Sequence, residues 1–214
     1  MESWQKVALA GTLGAAFLAQ VFRAQTASAQ SANSASTSLT ESGQVMVAGR
    51  QTPFLIRHLP VSSFPELPES VAGALNQRGC MIPQTYEAHG PENVVHASLE
   101  HAGSSDWAVL CSVEGKVSLL VFFDGGGAQD ATQPVVLASA REMDRLQAQP
   151  GSGVLGFNWG IDPASPEQVH EAQSGLKNLP ARVDHDALAD SVIEGRTVYR
   201  FYAKNAWTVL EMPE

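Results

Sequence analysis

The strongest pattern of the chain is a pair of apolar runs near its middle, separated by a short polar segment. The runs are 106–112 and 116–123, and Val113-Glu114-Gly115 lies between them. Gly115 can adopt the positive φ that a tight reversal requires. The pattern therefore predicts a β-hairpin. Because both faces of the runs are apolar, we expect a central pair of strands in a sheet that is covered on both sides.

A second hairpin is predicted near the end of the chain. Residues 196–203 and 206–211 flank the turn Lys204-Asn205, and their side chains alternate between two faces. Shorter strand patterns are spread over the rest of the chain, at 54–59, 94–99, 135–138 and 154–159.

Three segments have helical spacing. Residues 68–78 place Val71, Ala74 and Leu75 on one face, with Pro68 at the first position and Gly79 after the end. A short helix is predicted over 141–149, and a third over 166–177.

These elements together predict one α+β domain, residues 50–214. We expect it to contain a mainly antiparallel sheet, two hairpins and about three helices. An alternative is a subdivision near residue 150, where the turn-forming residues 150–153 are Pro-Gly-Ser-Gly.

The first 29 residues have the order of a secretory signal peptide. Lys6 precedes the apolar run 7–22, and the small residues Ala27-Ser28-Ala29 follow. We expect cleavage after Ala29, and hence a periplasmic or secreted protein with no membrane attachment. The alternative is an uncleaved N-terminal anchor, because Arg23 follows the run closely, although the run is shorter than the ~20 residues of a membrane span.

The segment that follows, 30–49, is rich in Ser, Ala, Thr and Gln and has no periodicity. It predicts a disordered spacer. The alternative, an ordered strand, applies only to residues 44–48.

Charge narrows the set of partners. The chain of 214 residues has a formal net charge of −9, and the acidic residues are spread along it. An acidic surface repels phosphate backbones and anionic lipid, so we expect neither nucleic acid nor a membrane surface as a partner.

The chain has two cysteines, Cys80 and Cys111. In an exported protein we predict that they form a disulfide. The alternative is a pair of buried free thiols. Cys111 lies inside a predicted strand, where a thiol is buried and inert rather than nucleophilic.

Three histidines, His89, His96 and His101, lie close together in sequence among acidic residues. Imidazole and carboxylate groups can hold zinc. Their spacing matches no helical pair that would place two rings together, so the simpler interpretation is a solvated strand edge. We therefore predict no metal and no cofactor, and name these histidines as the candidate ligands for the alternative case.

Two further residues are candidates for function. His185 lies between Asp184 and Asp186, and a carboxylate can orient a histidine as a base. Adjacent residues of a strand point to opposite faces, however, and the chain has no Gly-x-Ser-x-Gly motif. Trp159, followed by Gly160, is the candidate for an exposed aromatic side chain that stacks on a ligand.

Several short motifs resemble a group of uncharacterised exported bacterial proteins. They are Arg-Gly-Cys-Met-Ile-Pro-Gln at 78–84, Pro-Glu-Asn-Val-Val-His at 91–96, Asp-Trp-Ala-Val-Leu-Cys-Ser at 106–112, Leu-Leu-Val-Phe at 119–122, Asp-His-Asp-Ala at 184–187 and Trp-Thr-Val-Leu at 207–210. The resemblance covers about residues 59–211. It implies a secreted or periplasmic location, and it implies no activity and no catalytic residue.

Since no catalytic constellation is visible, we expect an exported, non-catalytic module that binds an unknown protein or an envelope component. The alternative function is a periplasmic hydrolase or metal-dependent enzyme that uses His89, His96 and His101, or His185.

Overall fold

A computed structural model describes residues 39–123, 133–174 and 182–211. These residues form thirteen strands, two α-helices and two short 3₁₀ turns. The strands belong to one nine-stranded and one four-stranded sheet. The fold is therefore mainly β, and the predicted α+β class with about three helices is wrong.

The elements have the following bounds. The strands are β1 Leu39–Val47, β2 Arg50–Pro60, β3 Met81–Gln84, β4 Val94–Ala97, β5 Asp106–Val113, β6 Lys116–Phe122, β7 Val135–Arg141, β8 Leu146–Ala148, β9 Leu155–Phe157, β10 Trp159–Ala164, β11 Ala187–Val192, β12 Thr197–Ala203 and β13 Ala206–Glu211. The helices are α1 Glu69–Gln77 and α2 Pro166–Ser174, and the 3₁₀ turns are Val61–Ser63 and Glu142–Arg145.

Both hairpins expected from the sequence are present, as β5–β6 and β12–β13. They turn over Glu114-Gly115 and Lys204-Asn205, and all four residues have positive φ. Two-residue turns with positive φ at both positions match the right-handed twist of paired strands. The turn geometry therefore sets the register of each hairpin.

A third hairpin, β1–β2, begins inside the range for which a disordered spacer is predicted. Its register runs without interruption from Leu39↔His58 to Val47↔Arg50. The strand is longer than the segment 44–48 that the sequence allowed. Nearly all of β1 is exposed, so its side chains have no apolar alternation from which a strand could be predicted.

The nine-stranded sheet is strongly curled. Its strand order is β7-β6-β5-β3-β2-β9-β8, with β1 paired to β2 and β4 paired to β5. β7 and β8 are at opposite ends of this order, yet only the 3₁₀ turn Glu142–Arg145 separates them in the chain. Because so short a connection spans at most about 18 Å, the two ends of the sheet must lie near each other.

One face of this sheet is covered by α1, whose Val71 and Leu75 pack on Ile82 and Val109. The Cys80–Cys111 disulfide is part of the same buried cluster. It links Cys80, three residues after α1 ends at Gln77, to Cys111 in β5.

The opposite face packs against residues of the four-stranded sheet. Ile56, Leu110 and Leu119 of the first sheet form one core with Trp159 and Leu188 of the second. Both sheets belong to one unit, 35–214, and the chain passes from one sheet to the other at Asn158.

Asn93 joins the two sheets through its side chain. It is buried and donates to the Pro83 carbonyl at 2.7 Å and to the Trp159 carbonyl at 3.3 Å. Its amide oxygen accepts from the Ile161 backbone N–H at 3.0 Å. Both amide hydrogens and the amide oxygen of this one buried side chain are thus bonded to backbone groups of the two sheets.

The helix predicted over 141–149 is wrong. β7 extends to Arg141, the 3₁₀ turn Glu142–Arg145 follows, and β8 begins at Leu146. The Glu142 side chain is buried and bonded to another strand. A tertiary interaction of this kind overrides the local helical pattern.

The other two helices are present. α1 lies within the predicted range 68–78, and Gly79 follows it with a φ of 72°. α2 begins at Pro166, and Ser165 and Gln168 form a reciprocal cap in which each side chain accepts from the other's backbone N–H. The last three residues of the predicted range 166–177 lie outside the described part of the chain.

Candidate functional site

The candidate site begins with His58, near the end of β2. Strand alternation places Phe54, Ile56 and His58 on one face, and all three are buried. His58 is only 4% exposed. A histidine this well buried needs a polar partner inside the protein.

The partner of His58 is Glu142, which lies directly after β7. The Glu142 backbone N–H donates to the Gly115 carbonyl at 2.9 Å, which fixes the start of the 3₁₀ turn. Its side chain is 1% exposed, and Oε1 lies 2.7 Å from His58 Nε2. The pair joins two segments that are 84 residues apart in sequence.

Ser112 of β5 completes the environment of the Glu142 carboxylate. Burial acts to raise the pKa of Glu142, but the hydrogen bonds from His58 and Ser112, together with the charge of His58, outweigh it and lower the pKa below its ordinary 4.5. Glu142 is therefore an ionised carboxylate at neutral pH, although it is shut away from water.

Glu41 of β1 lies at the solvent side of this pair. In the β1–β2 register Glu41 is opposite Ile56 and Leu39 is opposite His58, so Glu41 and His58 are diagonal neighbours on one face. Each of Glu41, His58 and Glu142 offers a nitrogen or oxygen atom, and these three atoms all lie within 4.8 Å of one another. We call these three residues the His58 cluster; Glu41 is exposed and the other two are buried.

One atom of the cluster is not satisfied. His58 Nδ1 is buried and has no hydrogen-bond partner among the described residues. Most buried polar side-chain atoms in native structures do have a partner, and leaving one without costs about 1–3 kcal/mol. The hydrogen bonding of His58 is thus incomplete, even though one of its nitrogens is tightly bound.

The three histidines named from the sequence lie elsewhere. His89, His96 and His101 are all exposed. His96 Nε2 is 2.7 Å from Ser105 Oγ, and its ring stacks on Trp107 with the centroids 4.4 Å apart. Within the described residues the structure does not bring the three together as a metal-ligand group.

His185, the other candidate base, is buried, and its Nδ1 lies 3.0 Å from the Asp186 carbonyl. Because a carbonyl only accepts, Nδ1 carries the proton. The Asp186 carboxylate accepts from the Ser98 backbone N–H at 3.0 Å, so it is engaged in anchoring a loop.

The disulfide between Cys80 and Cys111 is present, with a Cα–Cα distance of 5.2 Å, and the alternative of two free thiols is wrong. The distance lies within the usual range for a disulfide.

Trp159 is not exposed, so its selection as an exposed aromatic is wrong. It is fully buried, its Nε1 donates to Asp190 Oδ1 at 2.6 Å, and the Arg145 guanidinium lies 4.5 Å from the ring centroid. The indole is a core side chain with a satisfied polar atom.

The sequence reasoning missed the His58 cluster. One signal was available, because His58 shares the two-residue alternation of Phe54 and Ile56 and so falls on the core face of its strand. No local pattern identifies Glu142 as its partner, since the two are far apart in the chain.

Comparison with models of protein families, with curated proteins and with solved structures gives no match. The helices formed by the described residues all lack the length and apolar character of a membrane span.

Proposed function

We propose that this chain is an exported, non-catalytic module that binds another exported or envelope protein by adding a strand of that protein to β1. The observation that carries the proposal is the unprotected edge of β1. Among the described strands, β1 pairs only with β2. Its other edge presents backbone N–H and C=O groups that an extended segment can bond.

The sequence of β1 has few of the usual protections of an edge, and Glu41 is its one charged residue. Natural edge strands are blunted by lysine, proline, bulges or short length. β1 is nine residues long, contains neither lysine nor proline, and pairs with β2 without a bulge. Two other edges are better protected, because the β6–β7 pairing is bulged and β13 has only six residues.

Exposed apolar side chains accompany this edge. Leu39, Met46 and Val47 of β1 and Leu55 of β2 are between 43% and 62% exposed. They supply apolar area that a bound strand would cover in addition to its backbone bonds. The partner that fits is a segment of alternating apolar side chains rather than a nucleic acid or an anionic lipid.

Export is supported by the disulfide, because structural disulfides persist in oxidising compartments. The signal-peptide order of residues 1–29 also supports export. N-terminal sequencing of natively isolated protein tests this part, with Gln30 as the expected first residue. Full-length protein in the cytosol, with both thiols reduced, would overturn it.

The binding part is tested by a photo-cross-linking amino acid placed at Gln44 in β1, in the cells that make the protein. We expect an adduct with a different exported protein, whose affinity for the purified chain is then measured. Met46→Lys is expected to weaken binding by about tenfold or more, because a charge is placed on the edge. Val209→Lys in β13 is the matched control and should bind as the unmodified chain does.

Three results contradict the proposal: no adduct at Gln44, an adduct with a second copy of this chain, or a partner whose affinity is unchanged by Met46→Lys.

A further inference from the structure

The His58 cluster has the composition of a transition-metal site. It combines one imidazole with two carboxylates, and the residues come from β1, β2 and the 3₁₀ turn that follows β7. Nitrogen and oxygen ligands of this kind suit zinc, whereas calcium and magnesium prefer oxygen ligands alone. We propose that Glu41, His58 and Glu142 bind a zinc ion, with water as the fourth ligand.

The distances need little change to accept the ion. Zinc bonds of about 2.0–2.2 Å in a tetrahedral site place neighbouring ligand atoms roughly 3.3 Å apart. His58 Nε2 and Glu142 Oε1 are 2.7 Å apart, which is the length of a hydrogen bond. Zinc takes the place of the proton between these two atoms, that proton leaves to solvent, and the two side chains separate by about half an ångström.

Glu41 supplies the third ligand from the accessible side. Its side chain is exposed, so it can rotate toward the buried pair without disturbing the core. The three ligand atoms are within 4.8 Å of one another before an ion is bound. The exposed position of Glu41 also gives the ion a path from solvent to the two buried ligands.

The surroundings of the ligands support the assignment. The Ser112 hydroxyl bonds to the Glu142 carboxylate, and such contacts orient a metal-binding carboxylate. The imidazole would bind the ion through Nε2, the atom that already meets Glu142 Oε1.

The site differs from the one that the sequence suggested. His89, His96 and His101 lie on exposed parts of the chain, away from any such group of described residues. The three exposed histidines therefore serve as a control within the same chain. Exposed histidines bind zinc only weakly on their own, so removing them should leave zinc binding at the His58 cluster unchanged.

The experiment uses the full chain, made without an affinity tag and stripped with a chelator. Zn²⁺ alone is titrated by calorimetry, and the melting temperature is followed with and without the ion. We expect one ion per chain and a higher melting temperature, with no comparable effect of Mg²⁺ or Ca²⁺. Substituted Co²⁺ should give the visible absorption of a tetrahedral site.

Glu41→Gln is the deciding variant, because the side chain is exposed and its replacement leaves the core intact. We expect it to weaken zinc binding by about tenfold or more, and Glu66→Gln, at another exposed glutamate, to leave binding unchanged. The triple variant His89→Gln/His96→Gln/His101→Gln should also keep the site.

The proposal is overturned if the stripped chain binds no Zn²⁺, or if Glu41→Gln binds as tightly as Glu66→Gln. It is also overturned if the triple histidine variant loses the ion, or if Mg²⁺ stabilises the protein as much as Zn²⁺. Partner binding at the edge of β1 is measured separately, so either proposal can fail without the other.

Discussion

Cys111 and Ser112 are neighbours on β5, and each takes part in a cross-link on a different face of the same sheet. Cys111 is bonded to Cys80 beneath α1, in an apolar cluster. Ser112 bonds to Glu142, which holds His58 on the opposite face. One cross-link is covalent and closes a separation of 31 residues, whereas the other is polar and joins residues 84 apart.

The difference shows how one strand is held in two ways that respond to different conditions. The disulfide is indifferent to pH and is broken by reductant. The polar link resists reductant, but it depends on the ionisation of a buried carboxylate. Only the polar link contains groups that can bind an ion or a proton. A dependence of stability on pH or on a bound ion is therefore confined to that face.

Loss of the covalent link should have the largest effect on stability. The variant Cys80→Ala/Cys111→Ala removes the constraint on the unfolded chain, and we expect it to lose about 3–4 kcal/mol. Urea denaturation of the oxidised protein and the variant measures this difference. A loss below about 1 kcal/mol would show that the disulfide is not what secures this face.

Loss of the polar link should have the next largest effect. Glu142→Ala leaves His58 buried with neither nitrogen paired, and we expect a cost of about 2–3 kcal/mol. Glu66→Ala, at an exposed position, is the control and should stay within about 0.5 kcal/mol. Equal stabilities for the two variants would contradict a structural role for the pair.

The pH dependence of stability measures how much the ionised Glu142 carboxylate contributes to the polar link. The pKa of Glu142 is below its ordinary 4.5 in the folded protein, so its ionisation contributes stability above that pH. The contribution is lost as the pH falls through the lowered pKa. The measurement is the free energy of unfolding of the unmodified protein minus that of Glu142→Gln, with a chelator present. This difference should shrink as the pH falls below about 4.5. An advantage that is constant or grows on acidification would refute the assignment.

The smallest effect is expected from Ser112→Ala, which removes one hydrogen bond to the carboxylate and leaves the His58 contact. We expect a loss of about 1 kcal/mol. Ser118→Ala on β6 removes an exposed hydroxyl–hydroxyl contact with Ser139 and should cost less. An equal or larger cost for Ser118→Ala would show that the bond from Ser112 to Glu142 contributes no more stability than an exposed contact.

The elements that the sequence predicted well are those fixed by neighbouring residues. The β5–β6 hairpin follows from two apolar runs and a glycine, and α1 follows from apolar spacing between Pro68 and Gly79. The helix over 141–149 failed because Glu142 is placed by a contact with a distant strand. β1 was missed because backbone pairing to β2, rather than its side chains, makes it a strand.

The two cross-links differ in the same way, because one could be predicted from the sequence and the other could not. The disulfide could be predicted, because the chain has only two cysteines and each can pair only with the other. His58 and Glu142 are one histidine among six and one acidic residue among 22. Only the curling of the sheet, which brings the end of β7 beneath β2, identifies that pair.

The three hydrogen bonds of Asn93 have a consequence for a chain that is still being synthesised. All nine strands of the first sheet precede residue 158, so that sheet can pair completely before the second one exists. The Asn93 side chain, however, needs the backbone of Trp159 and Ile161. Before those residues have been synthesised, the nascent chain can contain all nine strands of the first sheet. The Asn93 amide then still lacks its hydrogen bonds to Trp159 and Ile161. The first sheet therefore reaches its full stability only after β10 has been made.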